Sequence, residues 1–196
     1  QTMNGQFVVL TDQQKSEIID EPTPKEVEAM NFTYKLAGIA GMSEQGFAVG
    51  LDSKGEQAIG HMISGSTGMV RTGDLLTNMM KLGISILYYA HLHGAVLTFY
   101  EGDDKYKAGA PLPSGGDMTG TGTPKPMVIL GYDMPNHQDK IRQDDVDKAH
   151  FYPGVHIPVS NPQDFPKTIS FYTMDRIIKT MLFNDFVNLV QKVRAN

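Results

Sequence analysis

The sequence feature that most constrains this chain is a short apolar run at 84–90 that leads directly into His91-Leu92-His93-Gly94. Its isoleucine and tyrosine residues favour a buried β-strand. Because side chains alternate between the two faces of a strand, His91 and His93 point to the same face, where both can reach one metal ion. The alternative is a chance pair among the six histidines of the chain, with each ring at the surface or satisfied in the core.

Length and charge limit the classes of protein to which the chain can belong. With 196 residues, it is long enough for one domain with a substantial core and marginal for two. The formal net charge is −5 and no basic cluster stands out, which argues against nucleic acid and anionic membranes as partners. The apolar run at 84–90 is far shorter than a bilayer-spanning helix, so we expect a soluble protein. Nothing in the sequence specifies an oligomeric state.

The absence of cysteine restricts the chemistry further. It excludes disulfides, thiolate zinc sites and a cysteine nucleophile, so any bound metal must be held by histidines and carboxylates. The chain begins with Gln1 rather than Met, a start typical of a trimmed or mature chain. A secreted or delivered effector is therefore one expectation.

Local patterns predict alternating helices and strands. The sequence Thr23-Pro24-Lys25-Glu26 combines an N-cap, a proline at the first helical position and a glutamate three residues after the cap, and it predicts a helix over 24–36. Two alternating stretches around a turn predict a hairpin of strands 45–51 and 57–64. We also expect strands at 7–10 and 127–132, a helix over 72–82, a mostly irregular segment at 133–170 and an amphipathic helix over 174–193. This order predicts an α/β or α+β fold with a mixed central sheet.

Several polar residues lack a pattern that indicates a site. Four histidines have no ligand spacing and are expected to be structural or at the surface, namely His61, His137, His150 and His156. An acidic patch is expected to be a solvated face, formed by Asp144, Asp145 and Asp147. The Gly-rich stretch at 120–125 lacks the Gly-Lys-Ser/Thr ending of a phosphate loop, so we do not expect nucleotide binding.

Three further residues could complete a site around the histidine pair. A hydrolytic zinc site needs three protein ligands, an open position for water and a base that takes the proton of that water. Glu44 directly precedes the predicted strand 45–51, and Ser114 and Asp117 lie in the Gly-rich loop downstream of His93. Each has an ordinary alternative, since Glu44 can be a carboxylate at a strand edge and Ser114 and Asp117 are common turn residues.

Taken in order, three segments resemble the JAMM metalloproteases of the MPN-domain family over residues 24–132: Glu44-Gln45-Gly46-Phe47, His91-Leu92-His93 and Ser114-Gly115-Gly116-Asp117. The resemblance implies an MPN-like (cytidine-deaminase-like) core in which His91, His93 and Asp117 bind Zn²⁺. It implies that Glu44 is the base for the water and that Ser114 donates a hydrogen bond to the tetrahedral intermediate. The implied activity is zinc-dependent hydrolysis of a peptide or isopeptide amide in a protein or peptide substrate.

The chain departs from the family pattern in three places. Gly94 replaces the usual proline, and only 118–125 separate Asp117 from the next predicted strand. The spacer after His93 is longer than the common form, and it contains three acidic residues that could replace Asp117 as the ligand, namely Glu101, Asp103 and Asp104. Two other functions stay open: a non-catalytic MPN-like module for binding or assembly, and a metal hydrolase that acts on a non-peptide amide.

The predicted organisation has three parts. Residues 1–23 form an N-terminal lead-in, and 24–135 form the MPN-like metallohydrolase core that the resemblance implies. Residues 136–196 form an irregular segment and a C-terminal amphipathic helix that packs on the core.

Overall fold

A computed structural model describes residues 22–39, 41–63, 72–118 and 122–195. The strand predicted at 7–10, all but two residues of the predicted lead-in, and residue 64 of the predicted hairpin lie outside these ranges. The helices and strands in chain order are α1 (Pro24–Ile39), β1 (Gln45–Leu51), β2 (Gln57–Ile63), α2 (Thr72–Lys81), β3 (Ser85–Leu92), β4 (Val96–Thr98), β5 (Lys107–Ala108), α3 (Gly115–Met118), β6 (Met127–Tyr132), α4 (Gln143–Phe151), β7 (Ile157–Pro158), β8 (Lys167–Tyr172), β9 (Ile177–Leu182) and α5 (Phe183–Ala195). Within the described ranges, no helix is long and apolar enough to cross a membrane.

The strands form two sheets. The larger has six strands in the order β2-β1-β3-β6-β8-β9, and the smaller has three in the order β5-β4-β7. In the larger sheet, β3 and β6 run parallel, and every other neighbouring pair is antiparallel. The predicted α/β class with a mixed central sheet is therefore confirmed, and so is the antiparallel hairpin of β1 and β2.

Helices cover both faces of the larger sheet, which explains why its central strands are almost entirely apolar. Helices α1 and α5 share one core cluster with Ala90 and Leu92 of β3. Helix α2 packs on the opposite face through Met79, against Tyr89 of β3 and Ile129 of β6. Since side chains alternate along a strand, the face that carries Tyr89 is also the face of the two histidines.

The first helix begins as its sequence predicts. The backbone N–H of Glu26 donates to Thr23 Oγ1 at 3.2 Å, and the backbone N–H of Thr23 donates back to Glu26 Oε2. These reciprocal bonds are a capping box. The buried carboxylate of Glu26 also accepts a hydrogen bond of 2.7 Å from the Tyr88 hydroxyl, so the cap ties α1 to β3.

The helix predicted over 174–193 is wrong in its first half. The chain forms strand β9 there, and α5 begins only at Phe183. The apolar residues at 174, 177, 178, 181 and 182 also fit helical spacing, so periodicity alone does not distinguish the two structures. The β-branched residues Ile177, Ile178 and Thr180 favour the strand, and pairing with β8 stabilises it.

Much of the segment at 133–170 is irregular, as predicted, but it also contains regular elements that the prediction omits. This segment contains α4 and most of β8, and β8 joins β6 to β9 in the central sheet. The sequence pattern does not reveal strand β8, because two of its buried side chains are polar, Thr168 and Ser170.

The prediction of a solvated acidic face is wrong for Asp145. This residue is buried and accepts hydrogen bonds of 2.9 Å from both the backbone N–H and the hydroxyl of Ser160.

The substitution Tyr34→Phe tests how firmly α1 is held on the sheet. The buried Tyr34 hydroxyl donates to the carbonyl of Thr168 and accepts from the backbone N–H of Gly131 at 3.3 Å. Removing it leaves two buried backbone groups without this partner, and we expect the free energy of unfolding to fall by about 1–3 kcal/mol in urea denaturation. The exposed Tyr100 is the control, and Tyr100→Phe should change stability by less than about 0.5 kcal/mol. Equal effects of the two changes would contradict this role of Tyr34.

Candidate metal centre

Strand β3 delivers the two histidines to the end of the central sheet. His91 lies opposite Gly46 of β1 and Ile129 of β6, so its backbone is fixed on both sides. The backbone N–H of His93 donates to the Leu130 carbonyl at 2.8 Å and extends the contact with β6 by one residue. The two imidazole centroids are 5.1 Å apart, so the rings share a face, as their spacing predicts.

The carboxylate of Asp117 lies between the two imidazoles. Asp117 Oδ1 is 3.1 Å from His91 Nε2, and Asp117 Oδ2 is 3.2 Å from His93 Nε2. Ligand atoms of all three residues lie within 4.8 Å of one another. These three predicted ligands therefore converge on one point of the described structure.

Ser114 holds Asp117 in this position. The Ser114 backbone N–H donates to Asp117 Oδ2 at 2.7 Å, and the Asp117 backbone N–H donates to Ser114 Oγ at 3.2 Å. The two residues thus cap the single turn of α3 reciprocally. Because Ser114 Oγ acts as an acceptor in this cap, its own proton stays available to a further acceptor.

The long segment after His93 folds back toward the two histidines. Strands β4 and β5 pair as an antiparallel hairpin, which brings the chain back to Ala110 beside the site. There the Ala110 carbonyl lies 3.0 Å from His93 Nδ1. The acidic residues of the spacer are exposed and lie outside the cluster of ligand atoms, namely Glu101, Asp103 and Asp104.

The contact between His93 and Asp117 requires a positive charge. A carbonyl oxygen can only accept, so Nδ1 of His93 carries a proton toward Ala110. In the neutral ring, Nε2 then has a lone pair that faces a carboxylate oxygen at 3.2 Å, which is repulsive. Either a proton on Nε2 or a metal cation between the two atoms removes the repulsion.

The pKa shifts of Asp117 and His93 agree with a positive charge at this contact. Burial disfavours the charged form of Asp117, but hydrogen bonds from both imidazoles outweigh it and hold the pKa of Asp117 well below its usual range. Burial likewise acts to lower the pKa of His93, but the hydrogen bond and the charge of Asp117 prevail and raise it. The nitrogen of His91 that faces away from Asp117, Nδ1, is buried without a hydrogen-bond partner among the described residues.

Glu44 lies at the entrance of β1, within electrostatic range of the cluster. Helix α1 ends in a sharp turn, where Gly41 and Met42 adopt φ of +63° and +60°, and this turn leads directly to Glu44. Burial raises the pKa of Glu44 and outweighs the opposing charges of His91 and His93. The half-buried carboxylate therefore takes up a proton more readily than an exposed one.

Gly94 sets the distance between the histidine loop and the loop that carries Glu44. A Cβ atom at this position would lie 2.5 Å from the Met42 carbonyl oxygen and 3.0 Å from Met42 Cβ. Real side chains do not tolerate such a contact with backbone, so glycine permits the close approach. Proline would bring the same Cβ atom into this contact, so the close approach favours glycine at position 94.

Two residues that contact or influence the site could not be predicted from the sequence, Ala110 and His156. Ala110 contributes only a backbone carbonyl, so its side chain does not identify it. His156 lies before β7, where its Nδ1 is 2.6 Å from Thr98 Oγ1 and its charge acts on Glu44. The structure brings His156 here through the pairing of β7 with β4, which sequence spacing does not reveal.

The other histidines predicted to be structural or at the surface have contacts of that kind. The exposed His61 ring packs against Phe32, and the exposed His150 ring packs against Phe99. His137 Nδ1 lies 2.9 Å from the Asp133 carbonyl oxygen.

Comparisons with known proteins do not assign a family. No protein-family model, curated protein or solved structure is significantly similar to this chain. The functional argument therefore rests on the geometry of the chain's own residues.

The substitution Gly94→Ala tests the close approach of the two loops. The added methyl group must displace the Met42 backbone, and we expect the free energy of unfolding to fall by about 1–3 kcal/mol. Gly38→Ala is the matched control, because a Cβ atom at Gly38 meets no atom within 4 Å and alanine favours the helix. This control should be neutral or up to about 1 kcal/mol more stable than the unchanged protein. Chemical denaturation measures both, and a neutral Gly94→Ala would contradict the tight contact.

Proposed function

We propose that this protein is a zinc-dependent hydrolase of the JAMM type that cleaves a peptide or isopeptide amide bond on an MPN-like core. The observation that carries the proposal is the convergence of His91, His93 and Asp117, whose ligand atoms lie within 4.8 Å of one another. Glu44 interacts electrostatically with all three residues, and it adds a base to the ligand set. Hydrolytic zinc sites combine these same parts.

The donor set of the site fits zinc. Two imidazole nitrogens and one carboxylate are typical zinc ligands, and three protein ligands leave a coordination position for water or substrate. The Ala110 carbonyl orients His93 so that Nε2 faces the cluster, which is the outer-shell contact that metal-binding histidines usually make. The unfavourable approach of the neutral His93 ring to Asp117 is relieved when a cation lies between them.

The residues around the ligands have distinct chemical roles in this proposal. Bound zinc would act as a Lewis acid that lowers the pKa of water and polarises the scissile carbonyl. Glu44 takes the proton of the attacking water and passes it to the leaving amine, and its raised pKa suits both steps. Ser114 Oγ accepts a hydrogen bond in the cap, so its O–H can donate a hydrogen bond to the carbonyl oxygen as negative charge develops there.

The order of elements supports an MPN-like core. A helix, an antiparallel hairpin, a second helix and the histidine strand follow one another, and β6 then pairs in parallel with that strand. Asp117 lies on the crossover between these two strands. The resemblance seen in the sequence motifs implies the same arrangement.

Metal analysis of the purified protein is the first test. We expect one zinc per chain in the unchanged protein and none in His91→Ala or Asp117→Ala. Zinc at about a hundred times its dissociation constant should raise the melting temperature by about 5–10 °C, because it binds only the folded chain. His61→Ala should keep both the zinc and the shift, since the exposed His61 ring packs on Phe32 away from the ligands.

Two outcomes would contradict this assignment. A protein that stays free of metal in zinc-replete medium would remove the metal centre altogether. Bound iron in place of zinc would redirect the proposal, because two histidines and one carboxylate also form the triad of non-haem iron oxygenases.

The substitution Glu44→Gln separates catalysis from metal binding. The amide keeps the size of the side chain but cannot take the proton, so we expect zinc content to stay unchanged and turnover to fall by about 10²–10⁴-fold. Cleavage of a peptide library, followed by mass spectrometry with and without a chelator, measures the activity. Loss of zinc in this variant would make Glu44 a ligand, and no zinc-dependent cleavage in the unchanged protein would favour a binding module.

A further inference from the structure

Tyr172 is a buried tyrosine of β8 that has no role in the reaction described above. Its side chain is fully enclosed, and its hydroxyl has no hydrogen-bond partner within the part of the chain that the structure describes. We propose that this hydroxyl donates a hydrogen bond to the Asp117 carboxylate when the site holds a metal ion, which makes Tyr172 a positioning residue of the metal centre. The inference rests on the metal binding proposed above and deepens it.

Tyr172 lies on the face of the central sheet that carries the histidines. In the register of the sheet, Met127 of β6 is opposite Tyr172, and Ile129 of β6 is opposite His91. Because residues two apart on a strand point to the same face, Tyr172 and His91 share the face of Met127 and Ile129. The unpartnered hydroxyl therefore belongs to the side of the sheet on which the candidate ligands lie.

Helix α3 brings Asp117 to this same face. Met118, the residue that follows Asp117, packs against the core cluster that contains Tyr89 and Tyr172. Burial raises the pKa of Tyr172, and the charges of Tyr89 and Asp117 raise it further. The Asp117 carboxylate thus lies within electrostatic range of a hydroxyl that keeps its proton and is free to donate it in a hydrogen bond.

The hydrogen bonds that hold Asp117 change when a cation binds. Asp117 Oδ1 lies 3.1 Å from His91 Nε2, and Oδ2 lies 3.2 Å from His93 Nε2. An imidazole nitrogen that binds a metal uses its lone pair, so it no longer donates a hydrogen bond to the carboxylate. Each carboxylate oxygen then loses one donor, while the Ser114 backbone N–H stays on Oδ2. A new donor can replace part of what is lost.

A hydroxyl that gains a partner only in the metal-bound form raises the affinity for the metal. A buried polar group without a partner costs free energy, and the cost is removed when the group forms a hydrogen bond. Carboxylates that bind metals are usually held by such an outer donor. Tyr34 shows the opposite case, because its hydroxyl already bonds with Thr168 and Gly131 in the folded chain.

The substitution Tyr172→Phe tests the proposal in two measurements on the full chain. With metal removed by a chelator, we expect the melting temperature to stay the same or to rise by up to about 5 °C, because an unpartnered hydroxyl is lost. Competition with a chelator of known affinity should show that the zinc dissociation constant rises by about 10- to 100-fold. A tyrosine with a packing role alone would not weaken zinc binding while the metal-free protein keeps its stability.

The substitution Tyr132→Phe is the matched control. Tyr132 is a buried tyrosine of β6 that belongs to the other core cluster, on the opposite face of the sheet. Because it shares no partner with Asp117, we expect the zinc dissociation constant to change by less than about twofold.

Three results would overturn the proposal. Equal zinc affinity of Tyr172→Phe and the unchanged protein would remove the role of the hydroxyl and leave the metal centre intact. A lower melting temperature of metal-free Tyr172→Phe would show that the hydroxyl already has a partner in the folded chain. Absence of zinc from the unchanged protein would overturn this proposal together with the metal centre. The first and the third result therefore distinguish failure of this proposal alone from failure of the proposed function.

Discussion

The parallel pairing of β3 with β6 is the constraint on which the candidate site depends. Ala90 lies opposite Val128, and Leu92 lies opposite Leu130, at the centre of the sheet. Two parallel neighbours cannot be joined by a tight turn, so the chain must leave the end of β3 and return to the start of β6 by a long crossover. Asp117 lies on the connection between these two strands, and its carboxylate contacts both histidines. The convergence of the ligands thus follows from the topology of the sheet.

The same crossover explains why the long segment between His93 and Ser114 does not separate Asp117 from the two histidines. Its hairpin pairs with β7 in the small sheet, and Gly94 lets it lie against the loop before β1. The additional residues of the connection therefore form part of the smaller sheet, and they do not move Asp117 away from the histidines. His156 reaches the region of Glu44 by this route, although it lies more than a hundred residues further along the chain.

The sequence predicts those parts of the molecule that depend on local chemistry. The cap at Thr23, the hairpin and the histidine strand each have a pattern within a few residues, and the structure contains all three. Strand β9 has apolar spacing that a helix also fits, and its β-branched residues together with its pairing with β8 favour the strand. The spacing of His91 and His93 predicts a shared face, but the approach of Asp117 depends on a crossover that no local pattern encodes. In the sequence, Asp117 is one carboxylate in a Gly-rich loop downstream of His93, and the family resemblance singles it out as a ligand.

The reciprocal cap between Ser114 and Asp117 has a consequence for how the proposed metal site would acquire an ion. The carboxylate of Asp117 is held by the first turn of α3 and by both imidazoles, so its position is fixed by folding alone. In many small metal sites, binding and folding are one event, because the ligands are scattered until the ion gathers them. Here His91, His93 and Asp117 already lie together, so an ion bound as proposed would enter a site that folding has formed. An ion could then enter and leave while the fold persists, at a rate set by access and by ligand exchange.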